Sequence, residues 1–222
     1  MKKRLLFRYG FSFLILFVLG DCKKKGTTPP VITLQGSNPM IISLQGIATD
    51  PGATAQDNQD GNITSKIISS WSSTPPNVNQ KGHYIITYTV SDAAGYTTTA
   101  ARAVNVVNDA DFLNGIYNSD DTCAVSTVFP YIDTIITSTT INKQFAIHNF
   151  RGIGKSVTAN LNGIALGSSF SWQNQQLGSD TLSAATNTGS ISNLTPVTFS
   201  FIYLWSSGGS TTESCTGMYI HQ

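Results

Sequence analysis

"KGHYIITYTVSDAAGYTTTAARAVNVV", residues Lys81–Val107, is the stretch that decides the fold. Tyr84, Ile86, Tyr88 and Val90 alternate with His83, Ile85, Thr87 and Thr89. A period of two places successive side chains on opposite faces of a strand. β-branched and aromatic residues fill the run, as a pleated, half-buried surface favours. "DAAG", Asp92–Gly95, supplies turn residues, and "TTTAARAVNVV" resumes β-rich sequence after it. Upstream, "VITLQG", "MIISLQG" and "NITSKIISSW" are further short β-rich runs, separated by "SNP", "DPGATAQDNQDG" and "STPPNVNQKG". Regularly spaced short strands with turn signals point to a β-sandwich over residues 31–107. No cysteine pair lies in this unit, so packing has to hold it.

These residues carry a resemblance. "VITLQGSNPMIISLQG", "ATDPGATAQDNQDGNITSKI" and "KGHYIITYTVSDAAGYTTTAARAVNVV" resemble the bacterial immunoglobulin-like domains of surface proteins and of an insecticidal crystal toxin. Tyr96 stands where that family usually has Asn after Ala-Gly. The resemblance implies a spacer or adhesive module that presents something else. Asp50-Pro51-Gly52 and Asp60-Gly61 read as turns. Asp50, Asp57, Asn58 and Asp60 are also oxygen donors of the kind Ca²⁺ takes. "DNQDG" lacks EF-hand spacing, and Asx turns account for the cluster without an ion, so a Ca²⁺ near Asp57 and Asp60 stays open.

Residues 108–222 read as a second all-β unit behind "NDADF", a short acidic hinge. "YIDTIITSTTI", "QFAIHNF", "SVTANLNG", "SSFSWQNQQL", "DTLSAATNTG", "PVTFSFIYLWS" and "ESCTGMYIHQ" are consecutive β-runs with short connections, an antiparallel meander. Phe199, Phe201, Tyr203 and Trp205 share one face. Seven or eight such strands close into a small, lipocalin-like barrel, which removes exposed edges. "LNGIYNSDDTC" resembles the opening of lipocalin-type barrels and of the C-terminal domains of two-domain bacterial lipoproteins. Cys123 and Cys215 are an even pair near the two ends of the unit, and a disulfide between them is expected over two separate core thiols.

The N-terminus has a basic "MKKRLLFR" and an apolar "YGFSFLILFVLG", the layout of a signal peptide over residues 1–21. Leu19-Gly20-Asp21-Cys22 resembles the lipobox of bacterial lipoproteins, with Asp21 departing from its usual small residue. The resemblance implies a diacylated Cys22 as the new N-terminus, a lipidated tether over residues 22–30, and attachment to the bacterial outer membrane. Lys23, Lys24 and Lys25 then lie at the headgroups.

Beyond residue 25, six basic side chains face eleven acidic ones, a balance of −5, which excludes the basic footprint of a nucleic-acid binder. The catalytic classes find little material. His83, His148 and His221 are isolated, Glu213 is the single glutamate, and Asp120-Asp121 point apart if extended. "GIGKS", Gly152–Ser156, lacks the upstream Gly of a phosphate loop and reads as a hairpin turn. No metal set or cofactor is implied. Trp172, with the amides Gln173–Gln176 beside it, and Trp205 are the candidate ligand contacts, the alternative being a core face. The expectation is a non-catalytic, membrane-anchored envelope lipoprotein for binding or adhesion. The partner is a glycan or an envelope protein. The alternatives are a glycan-binding accessory of polysaccharide uptake and a lipocalin-like carrier of a small apolar ligand.

Overall fold

A computed structural model describes residues 27–126, 128–163, 167–192, 195–209 and 212–222, of which 184–187 are described by backbone alone. The expected signal peptide, Cys22 and the lysines after it lie outside the described residues. The described residues are all-β, with sixteen strands in two units.

The first unit is an immunoglobulin-like sandwich. β1 (Val31–Leu34), β3 (Ala53–Asp57) and β4 (Gly61–Asn62) form one sheet. β2 (Met40–Ser43), β7 (Thr97–Val107), β6 (Gly82–Ser91) and β5 (Ile68–Ser69) form the other, in that order, with β2 parallel to β7. The deciding stretch is the β6–β7 hairpin, in register from Gly82↔Val106 to Ser91↔Thr97. Ile86, Tyr88 and Val90 are buried, as their alternation requires. Pro30 is already part of this unit, since it is buried and its carbonyl accepts the Thr98 hydroxyl at 2.7 Å.

Packing in this sandwich centres on Arg102, which is wholly buried. Its fork donates to the carbonyls of Ser37, Gln35 and Gly52, and its Nε donates to the Tyr88 hydroxyl at 3.3 Å. Tyr88 donates in turn to Asp50 at 2.5 Å. A rigid guanidinium can satisfy carbonyls from separate segments at once, so it ties the β1–β2 connection to the turn before β3.

The expected hinge is a packed joint instead. Asn108 is buried, and its amide donates to the carbonyls of Ser138, Ile141 and Gln144 while its oxygen accepts from Ala110 and Lys143 N–H. Asp109 accepts from Ser43 on one side and Asn142 on the other. Lys81 reaches across to Asp111 at 2.5 Å. Five hydrogen bonds on one asparagine leave that residue little conformational freedom.

The second unit comprises β8 (Gly115–Cys123), β9 (Tyr131–Thr137), β10 (Gln144–Phe150), β11 (Lys155–Leu161), β12 (Ser169–Ser171), β13 (Gln175–Leu177), β14 (Asp180–Ile191), β15 (Thr198–Ser206) and β16 (Glu213–His221). Neighbouring strands run antiparallel from β8 to β12; β12 pairs with β14, and β16 returns to β8. That closes an eight-stranded barrel, with β13 as an added strand on the first half of β14. Phe170↔Gly189 is the pair that shuts the ring. A Cβ on Gly189 would lie 2.1 Å from the Phe170 ring, so only glycine lets the ring lie across the facing strand here.

An eight-stranded barrel is just wide enough for side chains to fill. Tyr117, Phe150, Phe170, Phe199, Phe201 and Tyr219 form one continuous buried cluster, with ring centroids 4.6–6.2 Å apart where they meet. The lipocalin likeness therefore stops at the strand plan. Among the described residues, aromatic side chains occupy the barrel interior, which stands against the expectation of an apolar-ligand carrier.

Candidate functional site

The sequence-derived site residues separate. Cys22 lies outside the described residues. Cys123 and Cys215 form a disulfide between directly paired positions of β8 and β16. Trp172 and Trp205 are 2% and 6% exposed and belong to the barrel core. Their reading as an exposed platform is corrected. Alternation along β15 sends Trp205 inward with Phe199, Phe201 and Tyr203, and Trp172 packs 5.1 Å from Phe201. The amides beside Trp172 do not form a binding row either, since Gln175 is bonded to the Thr158 backbone.

One end of the barrel carries a buried polar group that the sequence did not suggest. Arg151 follows β10 with φ 56°, a left-handed conformation that a residue with a Cβ adopts at some cost. Its guanidinium lies 4.6 Å over the Trp205 ring. It also donates to Cys215 Sγ at 3.0 Å, Cys123 Sγ at 3.2 Å and the Tyr203 hydroxyl at 3.2 Å. Glu213 Oε1 lies 3.6 Å away, and Glu213 accepts the N–H groups of Val125 and Ser126 and the Ser126 hydroxyl. Burial works to raise the Glu213 carboxyl, but the Ser126 and Val125 donors and Arg151 outweigh it and hold it below its usual range. The only sequence signal was the turn "RGIG" after an alternating run.

Deeper inside, the Tyr131 hydroxyl donates to Asp121 Oδ2 at 3.0 Å and lies 2.8 Å from the Tyr219 hydroxyl. Burial pushes Asp121 up, with Tyr203, Tyr131 and Arg151 opposing it. Burial also raises Asp133, against the N–H groups of Asn149 and Thr134. Asp120 is exposed on the opposite side of β8, as adjacent strand residues must be. The histidines serve local contacts: His83 with Asn105, His148 with Ser156, and His221 with the Asn114 carbonyl. "GIGKS" lies on the β10–β11 turn and the start of β11. Cys123, Glu213 and Cys215 are close enough to hold a metal only if the disulfide is broken and Arg151 displaced.

The outer face of the barrel is different. A shallow groove of about 480 Å³ runs over β12, β14, β15 and β16, lined by Ser169, Thr188, Ser190, Ser200, Ile202 and Thr216. A second hollow of about 200 Å³ shares Ser190 and Ser200 with it and ends at Met218. Hydroxyls thus line the floor, and Ile202 and Met218, 43% and 53% exposed, form the apolar rim. Outward positions on central strands of a soluble sheet are commonly charged or long polar residues. Here they are small hydroxyls beside exposed Ile and Met, an arrangement that leaves both hydrogen-bonding and apolar surface to a partner.

Residues 32–106 match the family model described as a bacterial surface protein Ig-like domain. No curated protein matches the chain. Among solved structures, a lipoprotein from Bacteroides thetaiotaomicron is similar over 87% of this chain and 100% of its own, at 17% identity and a TM-score of 0.34. The structure of CBM51-2 in complex with GlcNAc and INT domains from Clostridium perfringens ZmpB is similar over 86% of this chain and 44% of its own, at 14% identity and a TM-score of 0.28.

Proposed function

We propose that this chain is a lipid-anchored protein of the bacterial outer membrane that binds a partner without catalysis, its Ig-like domain serving as spacer and its barrel as recognition unit. The match of residues 32–106 to a surface-protein Ig-like domain supports an envelope location. The lipobox-like Leu19–Cys22 supports the anchor. The joint at Asn108 supports the spacer role, because a packed junction holds the barrel away from the tether instead of letting it swing.

One observation carries the binding role: the barrel interior is filled with aromatic rings, while its outer face presents the hydroxyl-lined groove between Ser190, Ser200 and Met218. Recognition then lies on the outside. Rows of hydroxyls beside short apolar ridges suit a glycan, whose own hydroxyls exchange hydrogen bonds while its C–H faces lie on Ile202 and Met218.

Ser200→Tyr fills the groove at an outward position and leaves the core alone. On arrays of glycans and envelope polysaccharides, the wild-type chain is expected to be retained and the variant not. Equal retention of both, or none of either together with no envelope protein crosslinked from position 218, overturns the reading. Labelling with a palmitate analogue tests the anchor separately. Label is expected on the wild type and lost in Cys22→Ala.

A further inference from the structure

Three aspartates lie on two turns that a hydrogen bond joins at one end of the Ig-like sandwich. Ala55 of β3 and Val90 of β6 belong to the same small core. Asp57 and Asp92 lie two residues further along, so period two turns both inward, one layer beyond that core. They are only 5% and 8% exposed. Each uses one oxygen on its own turn. Asp57 Oδ1 accepts the N–H groups of Gln59 and Asp60, both at 2.8 Å, and Asp92 Oδ1 accepts that of Tyr96 at 2.8 Å. The remaining oxygens, Asp57 Oδ2 and Asp92 Oδ2, are buried and have no hydrogen-bond partner. Asp60 joins the two turns, because its Oδ2 accepts the Ala93 N–H at 2.6 Å.

A buried carboxylate oxygen without a partner is costly, and two at one end of a sandwich are more so. Turn chemistry accounts for the Oδ1 atoms and leaves the Oδ2 atoms unexplained. The Asp60 and Ala93 N–H groups hold the turns together but supply no countercharge to Asp57 or Asp92. Lys66, 3.6 Å from Asp60 Oδ2, brings one positive charge. Three carboxylates less one ammonium leave a formal −2, which one divalent cation neutralises.

We propose that Asp57, Asp60 and Asp92 form a divalent-cation site of the Ca²⁺ class that clamps the turn at residues 58–60 to the turn at residues 92–95. Ca²⁺ takes about six to eight oxygen ligands and accepts irregular geometry, so backbone carbonyls and water complete the shell. The three carboxylates do not all lie within 4.8 Å of one another, so binding draws the turns closer. A buried water beneath the same oxygens is the competing explanation, and it confers no dependence on the ion.

The test uses the full chain in detergent, stripped with a chelator and titrated calorimetrically with CaCl₂. One ion per chain is expected, with a Kd of about 10⁻⁴–10⁻³ M, as in extracellular modules. Asp57→Asn and Asp92→Asn keep the Oδ1 acceptor of each turn and remove only charge, and each is expected to weaken binding by about tenfold or more. The wild type is also expected to melt at higher temperature with Ca²⁺ than after chelation, a measurement that needs no variant to fold. No binding and no melting shift in millimolar Ca²⁺, or undiminished affinity in both variants, overturns the proposal.

Discussion

The side-chain amide of Gln175 pairs with the backbone of Thr158 as a strand would: Gln175 Nε2 donates to the Thr158 carbonyl at 2.8 Å, and the Thr158 N–H donates to Gln175 Oε1 at 2.9 Å. β11 and β13 are otherwise unpaired with each other, so this amide spans the gap where the sheet leaves β12 for β13. Gln175→Ala removes both bonds and frees a strand edge. With about 0.5–1.5 kcal/mol net for each bond, a loss of roughly 1–3 kcal/mol is expected in urea unfolding. Amide exchange at Thr158 should quicken more than at Val157. Unchanged protection at Thr158 would show that the seam closes without the side chain.

Arg102 does in the Ig-like sandwich what a cysteine pair does in others. Its fork serves carbonyls of the β1–β2 connection and of the turn before β3 at once. Arg102→Ala is expected to cost about 3–5 kcal/mol, since it orphans buried carbonyls as well as the Tyr88–Asp50 pair. Arg102→Lys is expected to recover little, because an ammonium lacks the planar fork. Denaturation followed through Trp71, which packs against the same core, reads this directly. A Lys variant as stable as the wild type would mean that charge, and not the fork, is what matters.

The Cys123–Cys215 link closes a loop with a sequence separation of 92. In the chain-entropy account, a loop of that length stabilises by about 4–5 kcal/mol. Cys123→Ala with Cys215→Ala should therefore lower the unfolding midpoint of the barrel. The Trp71 signal of the sandwich should stay in place, because the two cores are separate clusters. Parallel shifts of both transitions would show that the Asn108 joint makes one cooperative unit of the chain.

Alternation and turn residues made most strands legible in the sequence. β6, β7 and β15 follow them residue by residue, and the surface-domain motif covers the sandwich. Period two also held the answer for Trp205. A strand that buries Phe199 and Phe201 must bury Trp205 too, and only its indole suggested a surface role. Features set by contacts distant in sequence were not legible. Ring closure depends on Phe170 meeting Gly189 through a β12–β14 pairing. Arg151 reaches its place through a left-handed backbone, and Asn108 reads as a linker residue until the β9–β10 loop closes on it. The groove was hidden for another reason: Ser190 and Ser200 look like ordinary outward strand residues, and only their neighbours make a groove of them.

The barrel's response to base follows from its tyrosines. Burial is the main cause that raises Tyr117, Tyr131, Tyr203 and Tyr219 above the ordinary value of 10.0, and the Asp121 charge adds to it for the last three. A folded-state pKa above the unfolded one gives stability that is complete below the unfolded value and lost as pH rises past it. Stability should then change little up to about pH 9 and fall above pH 10, by up to about 1.4 kcal/mol per pH unit for each of these tyrosines. Phenolate absorbance from the four should appear together with the loss of β-sheet circular dichroism, since the folded barrel keeps them protonated. Tyr131→Phe and Tyr219→Phe should each make the fall shallower. Asp121 has the same sign at the acid end: its raised carboxyl favours the folded state below pH 3.8, and that contribution fades as pH rises through the raised value. Asp121→Asn should flatten this acid-side dependence and leave in place the larger part of the alkaline fall, which burial causes. Complete tyrosine ionisation with the circular dichroism intact would refute the account.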